Sequence, residues 1–311
     1  MKKVAIVTVN FNTADDTTAF LKSIEHIDKQ DLELDIIVVD NGSKDIYALP
    51  SFAKSHVTLI RSDENTGFSG GYNIGMKEAL SRGAEYVMIV NNDTEADKRM
   101  VHELIDVLDR DEKIGMTVPK IYFAKGHEFH KERYKKDELG KVFWYAGGHI
   151  DWANVHSIHR GVDEVDNGQY DEVEPVEFAT GCCMMFKTKV LEEVGLLDDE
   201  FFLYYEDADL NQRIKKAGYK VYYVPTAVLI HINAASSGGA GNGNVLQDYF
   251  ITRNRMLFGM RYAPLRTKIA LMKESIRLLK SGREYQQLGI KDFYQRKFHK
   301  GSFFEYRNKQ K

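Results

Sequence analysis

The stretch Tyr86-Val87-Met88-Ile89-Val90-Asn91-Asn92-Asp93-Thr94 decides how this chain folds. Its apolar half, Tyr86–Val90, predicts a strand that is buried on both faces, as in a parallel sheet. The strand runs directly into Asn91, Asn92 and Asp93. Because open α/β sheets bind ligands beyond the carboxyl ends of their strands, we expect Asn92 and Asp93 to face a ligand. A carboxylate such as Asp93 can hold a divalent cation, and the cation a diphosphate; a simple turn is the alternative.

Alternating strands and helices surround this stretch. The predicted strands before it are Val4–Val9, Ile36–Val39 and Val57–Ile60; the predicted helices are Asp15–Ile27, a segment running from the loop Asn65–Gly71 through about Ser81, and Met100–Asp109. This alternation is typical of an α/β fold with a doubly wound, Rossmann-like, mostly parallel sheet. Since the polar tips follow strands, we expect them to gather at one edge of that sheet.

The regular alternation stops after Tyr122. A charged stretch, Lys125–Lys141, is typical of a loop or insertion. The turn signals of Val142–Val176 predict antiparallel hairpins added to the sheet edge. Phe178–Phe186 predicts a further buried strand, and Glu206–Ala217 predicts a helix that ends at a glycine.

The last part of the chain begins with a glycine- and serine-rich segment, Ala234–Asn244. Its composition is that of a mobile loop, and we interpret it as a lid that becomes ordered when a ligand binds. Helical patterns return at Val245–Met260 and Leu265–Lys280, and the final residues are basic and aromatic.

The composition of the 311 residues limits the classes of function. Apolar residues make up 43% of the chain and the formal net charge is −3, so we expect a globular core and no nucleic-acid partner. Cys182 and Cys183 are adjacent and predict neither a disulfide framework nor a zinc site. We find no signal-peptide pattern and no apolar run near the ~20 residues of a membrane span. We therefore expect a cytoplasmic protein, peripheral at most to the inner face of the cell membrane.

Glu206-Asp207-Ala208-Asp209 is an acidic cluster that opens a predicted helix after an aromatic run. Acidic residues complement the dipole of a first helical turn, which is the structural interpretation. Asp209 can pair with Arg213 on the same helix face. Glu206 and Asp207 lack such a partner, and carboxylates that repel one another beside aromatic rings have raised pKa values. We therefore take Glu206 and Asp207 as candidate acid–base residues.

Two regions are candidate nucleotide contacts. Asp40, at the tip of a predicted strand, can accept a hydrogen bond from the imide N–H of a uracil or thymine ring, or it can cap a turn. The loop and helix start that contain Asn65, Gly71 and Asn73 let backbone N–H groups approach a ligand. A glycine-rich turn alone is weak support for such a site.

His231 and Arg253 are candidate contacts for a metal ion and a diphosphate. His231 ends a predicted strand just before the glycine-rich segment, where it can bind a metal, or simply belong to the core. Arg253 lies on a predicted helix near the same segment, and its planar guanidinium suits a diphosphate; pairing with a carboxylate is the alternative.

In their order along the chain, six motifs resemble the family 2 glycosyltransferases with the GT-A fold, and bacterial rhamnosyltransferases in particular. The motifs are VTVNFN (7–12), VVDNGSKD (38–45), ENTGFSGGYNIG (64–75), NND (91–93), GCCMMFKTKVLEEVGLLDDEFFLYYEDADLNQR (181–213) and YFITRNR (249–255). The resemblance covers roughly Lys3 to Phe258. It implies a GT-A catalytic domain at 1–240, with a nucleotide-binding half at about 1–120 and an acceptor half at about 121–240. Residues 241–311 would form a helical, basic C-terminal extension.

The resemblance implies a role for each matched residue. Asp40 would bind the base beside Thr8 and Asn10, Asn65 and Asn73 would lie along the nucleotide or sugar, and Asp93 would bind Mn²⁺ or Mg²⁺ with His231 as a further ligand. Asp207 would be the catalytic base, and Glu206 would share that role or orient the acceptor. Asn91 stands where the first acidic residue of the metal-binding motif could be, as it does in many relatives.

These roles predict an inverting, metal-dependent transfer of a sugar from a nucleotide-diphosphate donor to a hydroxyl of a glycan or lipid-linked acceptor in cell-surface polysaccharide synthesis. Rhamnose from dTDP-rhamnose is the leading donor. The alternatives are a galactosyl- or glucosyltransferase that uses a UDP-sugar, and a nucleotide-sugar-binding protein without turnover. A dinucleotide-dependent oxidoreductase is disfavoured, because no glycine fingerprint follows the first strand.

The segment Pro264–Arg283 predicts a basic amphipathic helix. Leu265, Ile269, Met272, Ile276 and Leu279 share one side of it, and basic residues lie elsewhere around it. Such a helix can lie on an anionic membrane. It can also pack on the protein's own core or on a second subunit of a homodimer.

Overall fold

The computed structural model describes residues 1–232 and 244–310. In these ranges the strands are β1 (Lys2–Asn10), β2 (Leu32–Asn41), β3 (Val57–Ser62), β4 (Tyr86–Val90), β5 (Thr94–Ala96), β6 (Ile114–Phe123), β7 (Phe143–Tyr145), β8 (Gly148–Asp151), β9 (His156–His159), β10 (Glu174–Pro175), β11 (Cys183–Lys187) and β12 (Lys220–His231). The helices are α1 (Ala14–Ile24), α2 (Gly67–Ser81), α3 (Met100–Leu108), α4 (Thr188–Val194), α5 (Glu206–Lys216), α6 (Val245–Tyr262), α7 (Leu265–Ser281), α8 (Glu284–Tyr294) and α9 (Phe303–Lys309), with a 3₁₀ turn at Lys131–Arg133. The predicted lid over Ala234–Asn244 falls almost wholly outside the described residues.

One ten-stranded sheet forms the centre of the molecule, in the order β10-β12-β6-β11-β4-β1-β2-β3, with β5 on β12 and β7 on β6. Strands β3, β2, β1 and β4 are parallel neighbours, and β11 lies antiparallel between β4 and β6. The predicted α/β class with a mostly parallel central sheet and an added antiparallel part is confirmed. All five residues of β4 are buried, as its uninterrupted apolar run predicted.

Helix α2 packs unusually close to β1 and β2, and its glycines explain why. A Cβ atom at Gly75 would lie 2.3 Å from Cγ1 of Val7, and one at Gly71 would lie 2.9 Å from Nδ2 of Asn41. The helix already begins at Gly67, so the predicted loop Asn65–Gly71 is wrong in its second half. These glycines permit helix–sheet contact, and Gly71 is therefore a packing residue rather than part of a ligand-binding loop.

The second half of the chain differs in detail from its predicted elements. Strands β7 and β10 join the main sheet, but β8 and β9 form a separate two-stranded hairpin. Strand β11 begins only at Cys183, so the strand predicted from Phe178 was too long. Strand β12 is continuous from Lys220 to His231, with an irregularity between Val224 and Val228.

The C-terminal part is helical, as predicted, and it includes α8 and α9, which the sequence patterns did not reveal. An aromatic cluster ties these helices to the loop before α5: Phe202 is buried together with Tyr249, Phe250, Tyr285 and Phe303. No described helix is both long and apolar enough to cross a bilayer. The division of the chain at residue 240 stays a prediction.

Candidate active site

Asp93 and His231 meet at the carboxyl edge of the sheet. Strand β5 continues from the tip of β4 and pairs antiparallel with the end of β12, which sets Thr94 opposite His231. The N–H of Ile232 donates to the carbonyl of Asp93 at 2.8 Å. As a result, Oδ2 of Asp93 lies 3.3 Å from Nε2 of His231. The two residues predicted as metal ligands therefore come together from distant parts of the sequence.

The polar atoms of this pair suit a metal ion. Oδ1 of Asp93 and both ring nitrogens of His231 are buried and have no hydrogen-bond partner among the described residues. A carboxylate oxygen and a neutral imidazole are both good ligands for a divalent cation. No third histidine, cysteine or acidic residue of the described chain completes a metal cluster. The remaining ligands would have to come from the diphosphate of a substrate or from water.

Trp144 fixes the orientation of the His231 ring. The two rings meet edge to face with centroids 4.6 Å apart, and the ring of His159 makes an edge-to-face contact with Trp144 at the same centroid distance. Burial lowers the pKa of His159 to about 4. His159 also packs against Tyr145 and Phe178, and nothing in its sequence spacing indicates these aromatic rings.

Asp207 lies in the first turn of α5, where two backbone groups hold its carboxylate. Oδ2 accepts a hydrogen bond from the N–H of Gly181 at 3.0 Å, and Oδ1 accepts one from the N–H of Ala208 at 2.7 Å. Burial raises the pKa of Asp207 above its ordinary value, against the lowering effect of these backbone hydrogen bonds. A carboxylate with a raised pKa is a stronger base than an exposed one.

Glu206 is buried beside Asp207 and differs from it in its hydrogen bonds. Its side chain is 4% exposed, and Oε2 has no partner in the described chain. Burial, followed by the neighbouring charge of Asp207, raises the pKa of Glu206 well above its ordinary value. The backbone N–H groups favour the ionised form of Asp207, and no such hydrogen bond from a neighbouring residue opposes the raised pKa of Glu206.

A short backbone bridge connects the candidate base to the candidate metal ligand. Gly181 donates to Asp207, and the carbonyl of the next residue, Cys182, accepts from the N–H of Asn91 at 2.8 Å. Asn91 is two residues before Asp93 in the tip of β4. Gly181 packs closely on the candidate base, since a Cβ there would be 3.4 Å from Cβ of Asp207. Residues 181–182 thus hold the two carboxylate-bearing segments next to each other.

The loop that leads into α5 adopts an unusual backbone conformation. Phe202, Tyr204 and Tyr205 have φ angles of 63°, 70° and 73°, in the left-handed region that bulky residues avoid. Nδ2 of Asn254 donates to the carbonyls of residues 201, 203 and 204 at 2.8, 2.8 and 2.9 Å. This single amide therefore holds the strained turn that presents the acidic pair. The sequence analysis did not identify Asn254.

The structure corrects the prediction that Arg253 binds a diphosphate. Arg253 is fully buried, and its guanidinium donates to the carbonyl of Phe201 at 3.1 Å and to that of His299 at 2.7 Å. Its Nε donates to the side chain of Asn254 at 2.9 Å. With its donors directed at the protein itself, Arg253 supports the loop before α5 and joins it to the C-terminal segment.

Asp40 is enclosed by protein groups. Its carboxylate accepts from Nδ2 of Asn10, the N–H of Tyr47 and Nη1 of Arg61, at 3.0, 3.0 and 2.5 Å. Burial alone would raise its pKa, but hydrogen bonds from Ser43, Tyr47, Asn10 and Arg61 together lower it. Asp40 has no exposed surface. In this conformation Arg61 covers the carboxylate of Asp40, so the carboxylate is not accessible for the predicted contact with a nucleobase.

A chain of side chains joins the tips of β2, β1 and β4. Asn10 donates to Asp40 and accepts from Oγ1 of Thr17 at 2.9 Å, and Nδ2 of Asn92 donates to the same Thr17 oxygen at 2.7 Å. Asn10 is 1% exposed, whereas Asn92 is half-buried. Thr8 is fully buried within β1, and its Oγ1 has no hydrogen-bond partner among the described residues, so its predicted contact with the nucleotide stays a prediction. Asn92 also remains a candidate donor contact.

The protein's own groups use the side chain of Asn73, against its predicted contact with the donor, whereas Asn65 is half-buried and its predicted contact stays a prediction. Asn73 is 5% exposed, and its side chain donates to the carbonyl of Leu197 and to Asp199, both at 2.8 Å, while accepting from the N–H of Leu197. Asn65 accepts from the N–H of Gly67 at 2.8 Å and so caps the turn before α2. Asn73 thus fixes α2 to the segment before α5, and Asn65 shapes a turn.

The sequence is similar to one family profile and to several known proteins. Residues 5–195 match the sequence profile described as Glycosyl transferase family 2. The low-salt glycan biosynthesis hexosyltransferase Agl10 of Haloferax volcanii is 25% identical over 230 residues, which cover 73% of this chain and 66% of that protein. The N-acetylglucosaminyl-diphospho-decaprenol L-rhamnosyltransferase of Mycobacterium tuberculosis is 23% identical over 245 residues, 75% of this chain and 77% of that protein.

Two solved structures share the architecture. GalNAc-T7, solved with UDP, GalNAc and Mn²⁺, superimposes with a TM-score of 0.62 at 14% identity over 95% of this chain and 58% of its own. The mannosyltransferase PcManGT from Pyrobaculum calidifontis, in complex with GDP-Man and Mn²⁺, gives a TM-score of 0.51 at 16% identity, over 91% of this chain and 72% of its own. At such low identity these likenesses establish the fold alone.

Proposed function

Because the chain belongs to glycosyltransferase family 2 and has the GT-A fold, we propose that it transfers a sugar from a nucleotide-diphosphate donor to a hydroxyl group with inversion at the anomeric carbon. The observation that carries this proposal is the bridge at Gly181 and Cys182, which sets the carboxylate of Asp207 beside the segment of Asp93. A single displacement requires a base on one side of the anomeric carbon and a site for the diphosphate on the other.

Asp207 acts as the base. Its carboxylate, fixed by the N–H groups of Gly181 and Ala208, takes the proton from the acceptor hydroxyl as the oxygen attacks the anomeric carbon. Attack comes from the face opposite the leaving diphosphate, which inverts the configuration. The two backbone hydrogen bonds limit rotation of the carboxylate, so that one oxygen is held for the acceptor.

Glu206 stays protonated during this step. Its burial and the neighbouring Asp207 charge keep the neutral form stable, so it does not compete for the acceptor proton. A neutral carboxyl group also avoids a second negative charge next to the base, which would oppose the approach of the diphosphate donor. Glu206 is in this account a positioning residue that orients the acceptor hydroxyl.

Asp93 and His231 are the residues that would hold a metal ion. Their unpartnered oxygen and nitrogen atoms would hold Mn²⁺ or Mg²⁺, which as a Lewis acid offsets the negative charge of the leaving diphosphate. Trp144 keeps the imidazole of His231 facing Asp93. The two solved structures compared above both contain Mn²⁺, which supports the same metal here.

Rhamnose from dTDP-rhamnose is the proposed donor, and a glycan or lipid-linked saccharide is the proposed acceptor. Two relatives are named for rhamnosyl transfer: the mycobacterial enzyme and the dTDP-rhamnosyl transferase RfbF of Shigella flexneri, which is 27% identical over 201 residues. A UDP-sugar remains the alternative donor, since a sugar pocket discriminates through a few contacts worth only ~1–3 kcal/mol each.

A panel of nucleotide sugars tests this proposal. Calorimetry with Mn²⁺ should show the tightest binding for dTDP-rhamnose, weaker binding for UDP-glucose and UDP-galactose, and none for NAD. Product analysis by NMR should then show inverted anomeric configuration. Retention of configuration, or equal binding of NAD and nucleotide sugars, would contradict the proposed reaction.

A further inference from the structure

Helix α7 is attached to the protein by one face only. Leu271 and Ser275 are 2% and 0% exposed. Gly259 of α6 leaves the space that Leu271 fills, since a Cβ atom there would lie 2.3 Å from Cδ1 of Leu271. Glu274 forms an ion pair with Arg255 of α6 at 3.0 Å. These contacts fix the rotation of α7 about its own axis.

The outward face of α7 carries a stripe of large apolar side chains, which we call the α7 stripe. Its members Leu265, Ile269, Met272 and Ile276 are 74%, 47%, 47% and 54% exposed. At ~100° per residue they fall within an arc of roughly 60°. Of the apolar side predicted from the sequence, Leu279 packs against the core, whereas the four members of the stripe remain exposed in the described chain. A contiguous exposed apolar stripe on a fixed helix indicates an interaction surface.

Basic residues border the α7 stripe on both sides. Lys268 lies on one side and Arg266, Lys273, Arg277 and Lys280 lie on the other, at ~100° per residue. The single acidic residue of the helix, Glu274, points roughly opposite the stripe and is paired. Within the described part of the chain, only Arg277 among the basic residues has a carboxylate within ion-pair distance. The surface around the stripe is therefore strongly cationic.

We propose that the α7 stripe docks the protein on an anionic lipid bilayer. The apolar side chains enter the boundary between headgroups and acyl chains, while the basic border contacts the anionic headgroups. The cationic border favours lipid over a second copy of this chain, because a twofold contact through the stripe would bring two like-charged borders together.

Docking through α7 would also place the acceptor side of the enzyme near the membrane. Gly259, against which Leu271 packs, lies close to Val155. The carbonyl of Val155 accepts the hydroxyl of Tyr205 at 2.7 Å, and Tyr205 directly precedes Glu206. The docking surface and the acidic pair are thus joined through a few packed residues. Docking itself does not depend on the proposed sugar transfer.

Vesicle co-sedimentation of the full chain tests the proposal, with phosphatidylcholine vesicles that contain or lack phosphatidylglycerol. The wild-type protein should bind the anionic vesicles and dissociate as salt is raised. The double variant Ile269→Glu/Ile276→Glu should bind at least about tenfold more weakly. Neutralising Lys273 and Lys280 together to Gln should weaken binding by about fivefold per charge on anionic vesicles only.

Matched substitutions elsewhere control for general effects. Ile46, which is 72% exposed outside α7, changed to Glu should leave binding unchanged, as should Lys44→Gln/Lys54→Gln. The proposal is overturned if wild-type protein ignores anionic vesicles or if Ile269→Glu/Ile276→Glu binds them equally well. It is also overturned if lipid-free sedimentation velocity shows a dimer that these substitutions dissociate while vesicle binding is absent. That last result would assign the stripe to a second copy.

Discussion

The carboxylate of Asp93 lies 3.3 Å from the imidazole of His231, yet three of the polar atoms of this pair have no hydrogen-bond partner in the described chain. Buried polar atoms without partners are rare in folded proteins and need an explanation. A divalent cation held by Asp93 and His231 would supply that explanation. Trp144, in edge-to-face contact with His231, makes the site observable by fluorescence.

Mn²⁺ should quench the fluorescence of Trp144. The chain has two tryptophans, so Trp152→Phe leaves Trp144 as the single reporter. A paramagnetic ion bound to His231 lies next to the indole ring and should remove most of its emission in a saturable way. His231→Ala in the same background should weaken the apparent Mn²⁺ affinity by at least about tenfold, and Mg²⁺ should compete. Quenching that is linear in Mn²⁺, or unaffected by His231→Ala, would argue against the site.

Glu206→Gln should retain most of the wild-type turnover at neutral pH. Glutamine copies the neutral, protonated carboxyl group that burial imposes on Glu206. Glu206→Ala should lose activity, because the acceptor is then no longer oriented. The comparison is made by steady-state kinetics of purified variants. A Gln variant as impaired as the Ala variant would show that Glu206 needs its negative charge.

The rate should fall on the acid side as Asp207 becomes protonated. Since burial raises the pKa of Asp207 above its ordinary value, the acid limb of kcat/KM should lie above the ~4 expected for an exposed aspartate. Measurement of kcat/KM against pH at saturating metal determines the limb. A rate that stays constant below pH ~4 would exclude a carboxylate base with a raised pKa.

Asn254→Ala should destabilise the protein and reduce its activity. The three carbonyls that Nδ2 of Asn254 contacts would lose their donor, and the left-handed turn at Tyr204 and Tyr205 would relax. We expect a loss of about 2–4 kcal/mol in the free energy of unfolding, measured in urea. Asn167→Ala, in an exposed turn, should change stability by less than ~0.5 kcal/mol. Equal losses of unfolding free energy in the two variants would contradict the role of Asn254 in holding the left-handed turn.

Asp40 should stabilise the protein at neutral pH and lose this effect in acid. Its folded-state pKa is lowered by its hydrogen bonds, so the stabilisation is complete above the unfolded value of ~3.9 and is lost as the pH falls through the folded value. Asp40→Asn should therefore cost about 1–3 kcal/mol at pH ~7 and progressively less below pH ~4. A difference between wild type and variant that is constant across this range would contradict the assignment.

Much of the carboxyl edge of the sheet could be predicted from the sequence, because a polar residue directly after an apolar run marks the end of a strand. Asp93 closely follows the apolar run of β4, and His231 ends the run of β12. The side chains of these two residues meet at the edge of the sheet. The acidic pair at Glu206 and Asp207 also begins a helix as predicted. These features depend on local patterns whose place in an α/β sheet follows from topology.

The roles of amide and arginine side chains could not be predicted in this way. Asn73 and Arg253 use their donors on carbonyl groups of distant segments, which no spacing in the sequence records. The same chemistry that would bind a nucleotide binds the backbone here, and burial decides between the two. The role of Asn254 could not be predicted for the same reason, since the strained loop that it holds is visible only in the fold.

The kinetics of Asp207→Asn test the central claim most directly. If Asp207 removes the acceptor proton, the variant should lose about 10²–10⁴-fold in kcat. Its affinity for donor and Mn²⁺, measured by calorimetry, should remain close to that of the wild type, because asparagine keeps the shape of the side chain. A variant that turns over at the wild-type rate would contradict the account.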